Sequence, residues 1–240
     1  MTSLTPEAKN SLLQAPEVTH LRDLRRSTIL FSQNQASDSL YFLEEGLVKL
    51  TRTNEVGKRI ILSIRGPGDL LGEEALADPQ KGFYTEAEVL TDAAVSQVPQ
   101  EVLKQALTRD NLALSLFNYI LERRNALAVK IELLCLNDVE YRVLHYLAEL
   151  SSLVRQREGE SGYQIPITQL ELADLVGATR ETTSTTLNQL ERRGLIKLSR
   201  RMLIVPAPDK LQTVAKERVK LDGFVRRPPQ ESISSDLKQQ

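Results

Sequence analysis

Cysteine is almost absent: the 240 residues hold one, Cys135, so no internal disulfide can form and a reducing compartment fits. Histidine is nearly as scarce. His20 and His145 lie far apart, and with a single thiol this excludes a structural zinc site or an iron–sulfur cluster held by the chain's own cysteines. Neither sign of charge is in excess, since 31 Lys and Arg stand against 32 Asp and Glu for a net charge of -1. No global basic field therefore draws polyanions, and any nucleic-acid contact has to come from a local patch. No uncharged apolar run is long enough to span a bilayer. The start, MTSLTPEAKN, carries Glu7 and lacks the basic and apolar regions of a secretory signal, which predicts a cytoplasmic protein with no membrane partner.

Catalytic signatures are missing too. Neither a GxxxxGK[ST] loop nor a GxSxG elbow occurs. His145 lies beside Leu144 and Leu147 on an amphipathic segment and reads as packed or half-exposed rather than as a base. Cys135, near the end of an apolar helix, reads as a core residue. Glu73 and Glu74 are adjacent and on a strand would face opposite sides. No enzyme activity, catalytic residue, metal or cofactor is expected.

What is present is the composition of a globular chain, 26% charged and 41% apolar, long enough for two ordinary domains. Residues 1 to 26 read as a short helix and an irregular lead-in, with Pro6 and Glu7 as first-turn residues after Thr5. From Thr28 to about Val98, short β-branched and aromatic runs (STILF, LYFL, LVKLT, RIILSI, AAVSQV) alternate with turn signals at Asn34, Gly46, Gly57 and Gly66-Pro67-Gly68-Asp69. That spacing predicts a small antiparallel barrel or sandwich.

Between Leu112 and Leu136 the spacing predicts one long helix. Ala113, Ile120, Leu127 and Leu134 recur every seven residues, and Phe117 and Ile131 fall four further on, at the second seam position of a coiled coil. Phe117, Ile120, Leu127, Ile131 and Leu134 are therefore the predicted interface with a second copy; packing against the chain's own barrel is the alternative. Arg124 takes the remaining seam position, where it either snorkels out or faces an anion from the barrel. After Asn137-Asp138 comes an amphipathic helix, VEYRVLHYLAELSSLV, then the polar loop REGESG. Beyond Pro206 a helix-like piece, DKLQTVAKERVKL, gives way to RRPPQESISSDLKQQ, a composition that supports no core and reads as disordered or as a partner-binding segment.

Thr168-Gln169-Leu170-Glu171 is a capping box and fixes a helix start. Leu172 and Leu175 then point inward, Gly177 supplies a sharp turn, and Thr179 caps a second helix, which together make a helix-turn-helix. On the second helix Thr183, Leu187 and Leu190 share one side, and Glu181, Thr185, Asn188 and Arg192 the other. Arg180 and Glu181 sit in its first turn, suited to guanine O6 and N7 and to cytosine N4 in a major groove. Ser184, Thr185 and Asn188 continue that face. Two short runs, Ile196-Lys197-Leu198 and Leu203-Ile204-Val205, flank Ser199-Arg200-Arg201 as a basic β-wing for phosphate oxygens. The predicted DNA contacts are thus Arg180, Glu181, Ser184, Thr185 and Asn188, the cap residues Thr168 and Thr179, Gln169 beside the first cap, and Arg200 and Arg201 of the wing.

From about Thr28 to Val205 the chain resembles the Crp/Fnr family of bacterial transcription regulators. The likeness is strongest in GATRETTSTTLNQLERRGLI, and Gly46, Gly57, the Gly66–Asp69 stretch and Gly72-Glu73 stand where the family's roll turns stand. It implies an α+β chain with an N-terminal double-stranded β-helix (a jelly roll resembling cyclic-nucleotide-binding domains) over 1–110 and a dimerisation helix over 111–137. A C-terminal winged helix-turn-helix over 138–206 follows, with a largely disordered extension over 207–240. It further implies a homodimer, a roughly palindromic double-stranded DNA operator and contact with RNA polymerase, and it makes Asp138 the hinge. Family members that bind cyclic AMP hold its phosphate with an Arg-Ser pair, and Phe83 and Tyr84 stand at those positions here. Leu127 and Ala128 replace the base-contacting hydroxyls, and no nearby register of the roll restores an arginine. Binding without cyclic AMP is therefore expected. The candidate effector pocket comprises Gly72, Glu73, Phe83, Tyr84 and Thr85, with Arg123 and Arg124 able to meet an acid. FYxxA is similar to the 2-oxoglutarate sensors of the family, but Gly82 stands where they have arginine. The sensor is either ligand-free or tuned to an unidentified effector, the former being favoured. Thr185 stands where many relatives carry a second arginine, so the half-site should differ at one base pair.

Overall fold

The computed structural model describes residue 9 and residues 12–107, 112–154 and 162–225, with 218–225 as backbone only. The first turn at Pro6, most of the REGESG loop and the stretch from 226 on lie outside the described residues.

Alternation builds the N-terminal roll. Its strands are β1 (Thr19–Leu24), β2 (Ile29–Phe31), β3 (Ser39–Glu45), β4 (Val48–Thr53), β5 (Arg59–Arg65), β6 (Leu70–Leu71), β7 (Glu86–Val89) and β8 (Ala93–Pro99). They form two four-stranded sheets, ordered β1-β8-β3-β6 and β2-β7-β4-β5. Successive residues of a strand face opposite ways, so β3 serves two cores. Tyr41 and Leu43 join Phe31, Val48, Leu50 and Phe83 inside the roll, while Leu40 and Phe42 join helical residues outside it. The roll begins at Thr19, within the stretch expected to be an irregular lead-in. β1 is an exposed polar edge strand paired only with β8, which is why its sequence carries no core pattern.

Helix α1 (Gln100–Leu107) leads to α2 (Leu112–Leu136), whose bounds match the predicted long helix. Tyr119 anchors α2 to the roll: its buried hydroxyl donates to the Leu70 carbonyl at 3.1 Å and accepts from the Leu70 amide at 2.9 Å. Phe117, Ile120, Leu127 and Ile131 are exposed on the outward face, as an unpaired seam would be. Leu134 departs from that set. It is half-buried, and its Cδ2 lies 2.6 Å from where a Cβ on Gly177 would stand, so it is used within the chain. Cys135 is exposed, not in the core as expected, because the faces of α2 that reach the roll and the C-terminal domain are supplied by Leu112, Leu116, Tyr119, Lys130 and Leu133.

Asp138 caps α3 (Val139–Leu153) by accepting from the Tyr141 amide at 2.8 Å. The C-terminal domain continues with β9 (Tyr163–Ile165), α4 (Gln169–Val176), α5 (Arg180–Arg192), β10 (Lys197–Ser199), β11 (Met202–Val205) and α6 (Pro208–Val225), with sheet order β10-β11-β9. The helix-like piece expected after Pro206 is a helix, within the extension over 207–240. Leu211 and Ala215 are buried against the domain core, which gives those residues the packing that the composition of the tail lacks. Among the described residues no helix is long and apolar enough to cross a membrane.

Candidate functional site

The helix-turn-helix is set by its caps. The Thr168 hydroxyl accepts from the Glu171 amide at 3.1 Å, and the Glu171 carboxylate takes the Thr168 amide at 2.9 Å. Both polar groups of Thr168 are spent on that box, so Thr168 fixes the helix start and has nothing left for a phosphate. Gly177 turns the chain at φ 65°. Thr179 then caps α5 through the Thr182 amide at 3.2 Å. On α5 the side carrying Thr183, Leu187 and Leu190 is fully buried. Glu181, Thr185 and Asn188 are exposed on the other side, Arg180 is exposed in the first turn, and Ser184 on α5 and Gln169 at the start of α4 are half-exposed. Arg200 and Arg201 are exposed at the tip of the β10–β11 hairpin, where Arg201 adopts a left-handed φ of 62°. The wing has a third strand, β9, paired with β11. It lies just before the capping box, and only its alternating Tyr163, Gln164 and Ile165 marks it in the sequence.

Sequence separation hid the domain junction. Glu171 is buried, and beyond its capping role it receives Arg26 of the roll at 2.7 and 3.0 Å and Lys49 at 2.9 Å. Lys49 also pairs with Glu88 at 2.9 Å, its cross-strand neighbour on β7. Arg26 donates further to the carbonyls of Leu90 and Pro166, both at 2.8 Å, and Arg59 pairs with Asp174 at 3.3 Å. At the far end of α4, Lys130 of α2 donates to the Leu175 carbonyl at 2.7 Å. Helix α4 is thus gripped along its length by the roll and the long helix. Burial alone would raise the Glu171 carboxyl, but the Thr168 and Lys49 hydrogen bonds outweigh it and hold the group below its usual 4.5. A depressed folded value means that this contribution is complete above the unfolded pKa and disappears as pH falls through the folded one. The wild type should therefore lose stability below about pH 4.5 relative to Glu171→Gln, in melts followed by circular dichroism; parallel acid profiles would contradict the assignment.

A cleft of about 720 Å³ runs from the roll to the C-terminal domain. Glu73, Tyr84, Thr85 and Arg123 of the candidate pocket line it; Gly72, Phe83 and Arg124 do not. Phe83 is buried inside the roll, stacked on Phe31 with centroids 3.9 Å apart. Gly72, at φ 77°, leaves room for that ring, since a Cβ there would stand 2.8 Å from it. Arg124 points outward from α2 and is exposed. Glu73 and Glu74 lie on one 3₁₀ turn, Glu73–Leu76, rather than on a strand, and both line the cleft.

The roll does supply an arginine that the sequence pattern did not reveal. Arg65, at the end of β5, lines the cleft, is buried, and faces Glu73 at 3.5 Å. Alternation along β5 does not mark it, because the pairing register shifts between Ile61 and Ser63. Arg123 is likewise engaged, 3.1 Å from Asp69 and over the Tyr119 ring. Burial pushes the Glu73 carboxyl up, with Arg65 opposing. Tyr84 is exposed and stacks under the Arg52 guanidinium at 3.9 Å. His145 is half-buried among Tyr141, Tyr146 and Glu149. Burial lowers the Lys130 amine to about 8.

This arrangement, a roll joined by a long helix to a winged helix-turn-helix, defines a class of DNA-binding regulator. Residues 21–110 match the cyclic nucleotide-binding domain, and residues 141–214 match the Crp-like helix-turn-helix domain. A probable transcriptional regulator, flp, of Lacticaseibacillus casei is 30% identical over 184 residues, covering 76% of this chain and 81% of that protein. A CRP-like cAMP-activated global transcriptional regulator of Mycobacterium tuberculosis is 27% identical over 190 residues, 79% of this chain and 85% of that one. The crystal structure of a CRP-family transcriptional regulator from Thermus thermophilus superposes with a TM-score of 0.70 at 25% identity, covering 82% of this chain and 96% of that chain. The chain belongs to the Crp/Fnr family, and it is a transcription regulator with a helix-turn-helix DNA-binding domain, not an enzyme.

Proposed function

We propose that the protein is a cytoplasmic homodimer that binds a roughly palindromic operator through α5, contacts RNA polymerase and does not require cyclic AMP. The observation that carries the DNA reading is the two-sided α5. Its inner side is sealed by Leu187 and Leu190, and Arg180, Glu181, Thr185 and Asn188 stand exposed, as do Arg200 and Arg201 at the wing tip. Arg180 and Glu181 read a guanine and a cytosine, Thr185 a neighbouring base edge, and the wing arginines take phosphates. The exposed apolar row Phe117, Ile120, Leu127 and Ile131 supports pairing of α2 with its twin. Two-fold symmetry then places the half-sites about one helical turn apart.

Independence from cyclic AMP is supported by the roll. The position of the phosphate-binding arginine is Phe83, deep in the core, and Arg65 already faces Glu73. A cyclic phosphate entering there would lose its hydration without gaining a free charged partner. Arg180→Ala should weaken binding at a matched operator by about 1 to 3 kcal/mol and relax one base position. Anisotropy titrations of matched and singly substituted duplexes read both effects, and an unchanged base preference would refute the role of Arg180. A second reading, control by a small effector that is not a nucleotide, is favoured by the size of the cleft.

A further inference from the structure

The residues that line the cleft fall into two groups by element. The roll end of the cleft carries Arg65, Glu73, Glu74, Tyr84 and Arg123, where each arginine faces a carboxylate. Its other end lies among α2, α3 and α6 and is walled by Val129, Leu133, Leu144, Ala148 and Ala215. At about 100° per residue, positions 126, 129 and 133 of α2 point roughly 120° or more from the centre of the seam at 120, 127 and 131, and Lys130 roughly 80°. Leu127 lines both the seam and the cleft, so a second copy paired on that seam borders this end at Leu127.

Within that apolar chamber stands one enclosed ammonium. Lys130 is 5% exposed and lines the cleft. It donates to the Leu175 carbonyl at 2.7 Å and the Tyr146 hydroxyl at 3.2 Å, lies 4.9 Å from the centroid of the Tyr146 ring, and among the described residues has no carboxylate within ion-pair distance. An ammonium has three N–H donors, so one remains after these two bonds. The charged and titratable groups around it are mostly basic: Arg142, spent on the carbonyls of Leu134 and Asn137, with His145 and Lys216 lining the same end. Glu149, the acid on that side, is largely exposed and lies by His145. A buried cation without a counter-ion inside an apolar wall is costly unless an anion joins it.

We propose that this end of the cleft binds an apolar monocarboxylate, a hydrocarbon body with a single carboxylate head, with the head on the Nζ of Lys130 and the body along Val129, Leu133, Leu144 and Ala148. The cleft is within the size range of small-molecule sites, and an apolar lining with one placed polar group is what such a ligand needs. The head would sit beside the amine that holds the last turn of α4, so occupancy bears on how the helix-turn-helix is seated on α2. A nucleotide does not fit this chemistry, since its base and sugar would leave their polar atoms unpaired against the aliphatic wall.

The experiment is calorimetric titration of the full-length protein with sodium octanoate, and separately with octylammonium chloride, on the wild type and on Lys130→Met and Arg123→Met. Saturable octanoate binding, weakened tenfold or more by Lys130→Met and little changed by Arg123→Met, with no saturable octylammonium binding, is the expected result. Absence of octanoate binding, equal binding by Lys130→Met, dependence on Arg123 instead, or an equal preference for octylammonium would each overturn the proposal. Should Lys130→Met fail to fold, the octanoate-to-octylammonium contrast on the wild type and retention of binding in Lys130→Arg still decide it. No DNA enters the measurement, so its failure leaves the operator-binding reading standing.

Discussion

Glu171→Ala should destabilise the C-terminal domain by about 3 kcal/mol, the low end of the range for removing one partner of a buried ion pair. The side chain is only 10% exposed and takes Lys49, itself 3% exposed, and Arg26. Removing it leaves the Lys49 ammonium with Glu88 alone and frees the Thr168 amide that the carboxylate had satisfied. Two effects therefore add: a desolvated cation short of one partner, and a Thr168 amide left without its acceptor, while the Thr168 hydroxyl still caps the helix through the backbone amide of residue 171. The arm to Arg26 counts for less because that side chain is 30% exposed. Urea unfolding followed by far-UV circular dichroism measures the loss, and a change under about 1 kcal/mol would show that the junction does not carry the weight assigned to it.

Phe83→Ala should cost the roll about 3 to 5 kcal/mol, the usual range for emptying a buried aromatic site. The ring is 1% exposed and fills the space between Phe31 and the Gly72 turn, whose left-handed backbone cannot close over the void. Phe83→Arg, which restores the residue that cyclic AMP binders use, should be no gentler. It puts a guanidinium into the apolar core against the Phe31 ring, and it should not create nucleotide binding. Thermal melts of the three proteins with and without cyclic AMP test this. A Phe83→Arg protein that is as stable as wild type and is further stabilised by cyclic AMP would refute the placement of Phe83.

The parts of this molecule legible in the sequence are those that local rules govern. The α2 bounds follow from a seven-residue apolar period, and the two helix starts of the helix-turn-helix follow from Thr168, Glu171 and Thr179, whose partners lie within three residues. The inner and outer sides of α5 follow from helical spacing alone. What stays hidden depends on long-range pairing. β1 is a polar edge strand, β6 has two residues, and β7 reads EAEV, so none shows a core pattern until neighbouring strands flank it. Glu171 reads as a cap and nothing more, because its partners Arg26 and Lys49 are 145 and 122 residues away. Position in a motif assigns Phe83 to the pocket, yet the fold turns its ring into the roll's core. Arg65 escapes notice because it ends an apolar strand, and its pairing with Glu73 exists only once β5 and the 3₁₀ turn meet.

The central claim, a dimeric regulator that reads a symmetric operator without cyclic AMP, is tested most directly by selecting bound duplexes from random DNA with the purified protein in the absence of nucleotide. The expected result is enrichment of a two-fold symmetric sequence with half-sites one helical turn apart, whose binding falls steeply with salt and is unchanged by added cyclic AMP. Enrichment that appears only when cyclic AMP is present, or no enriched sequence under either condition, would contradict it.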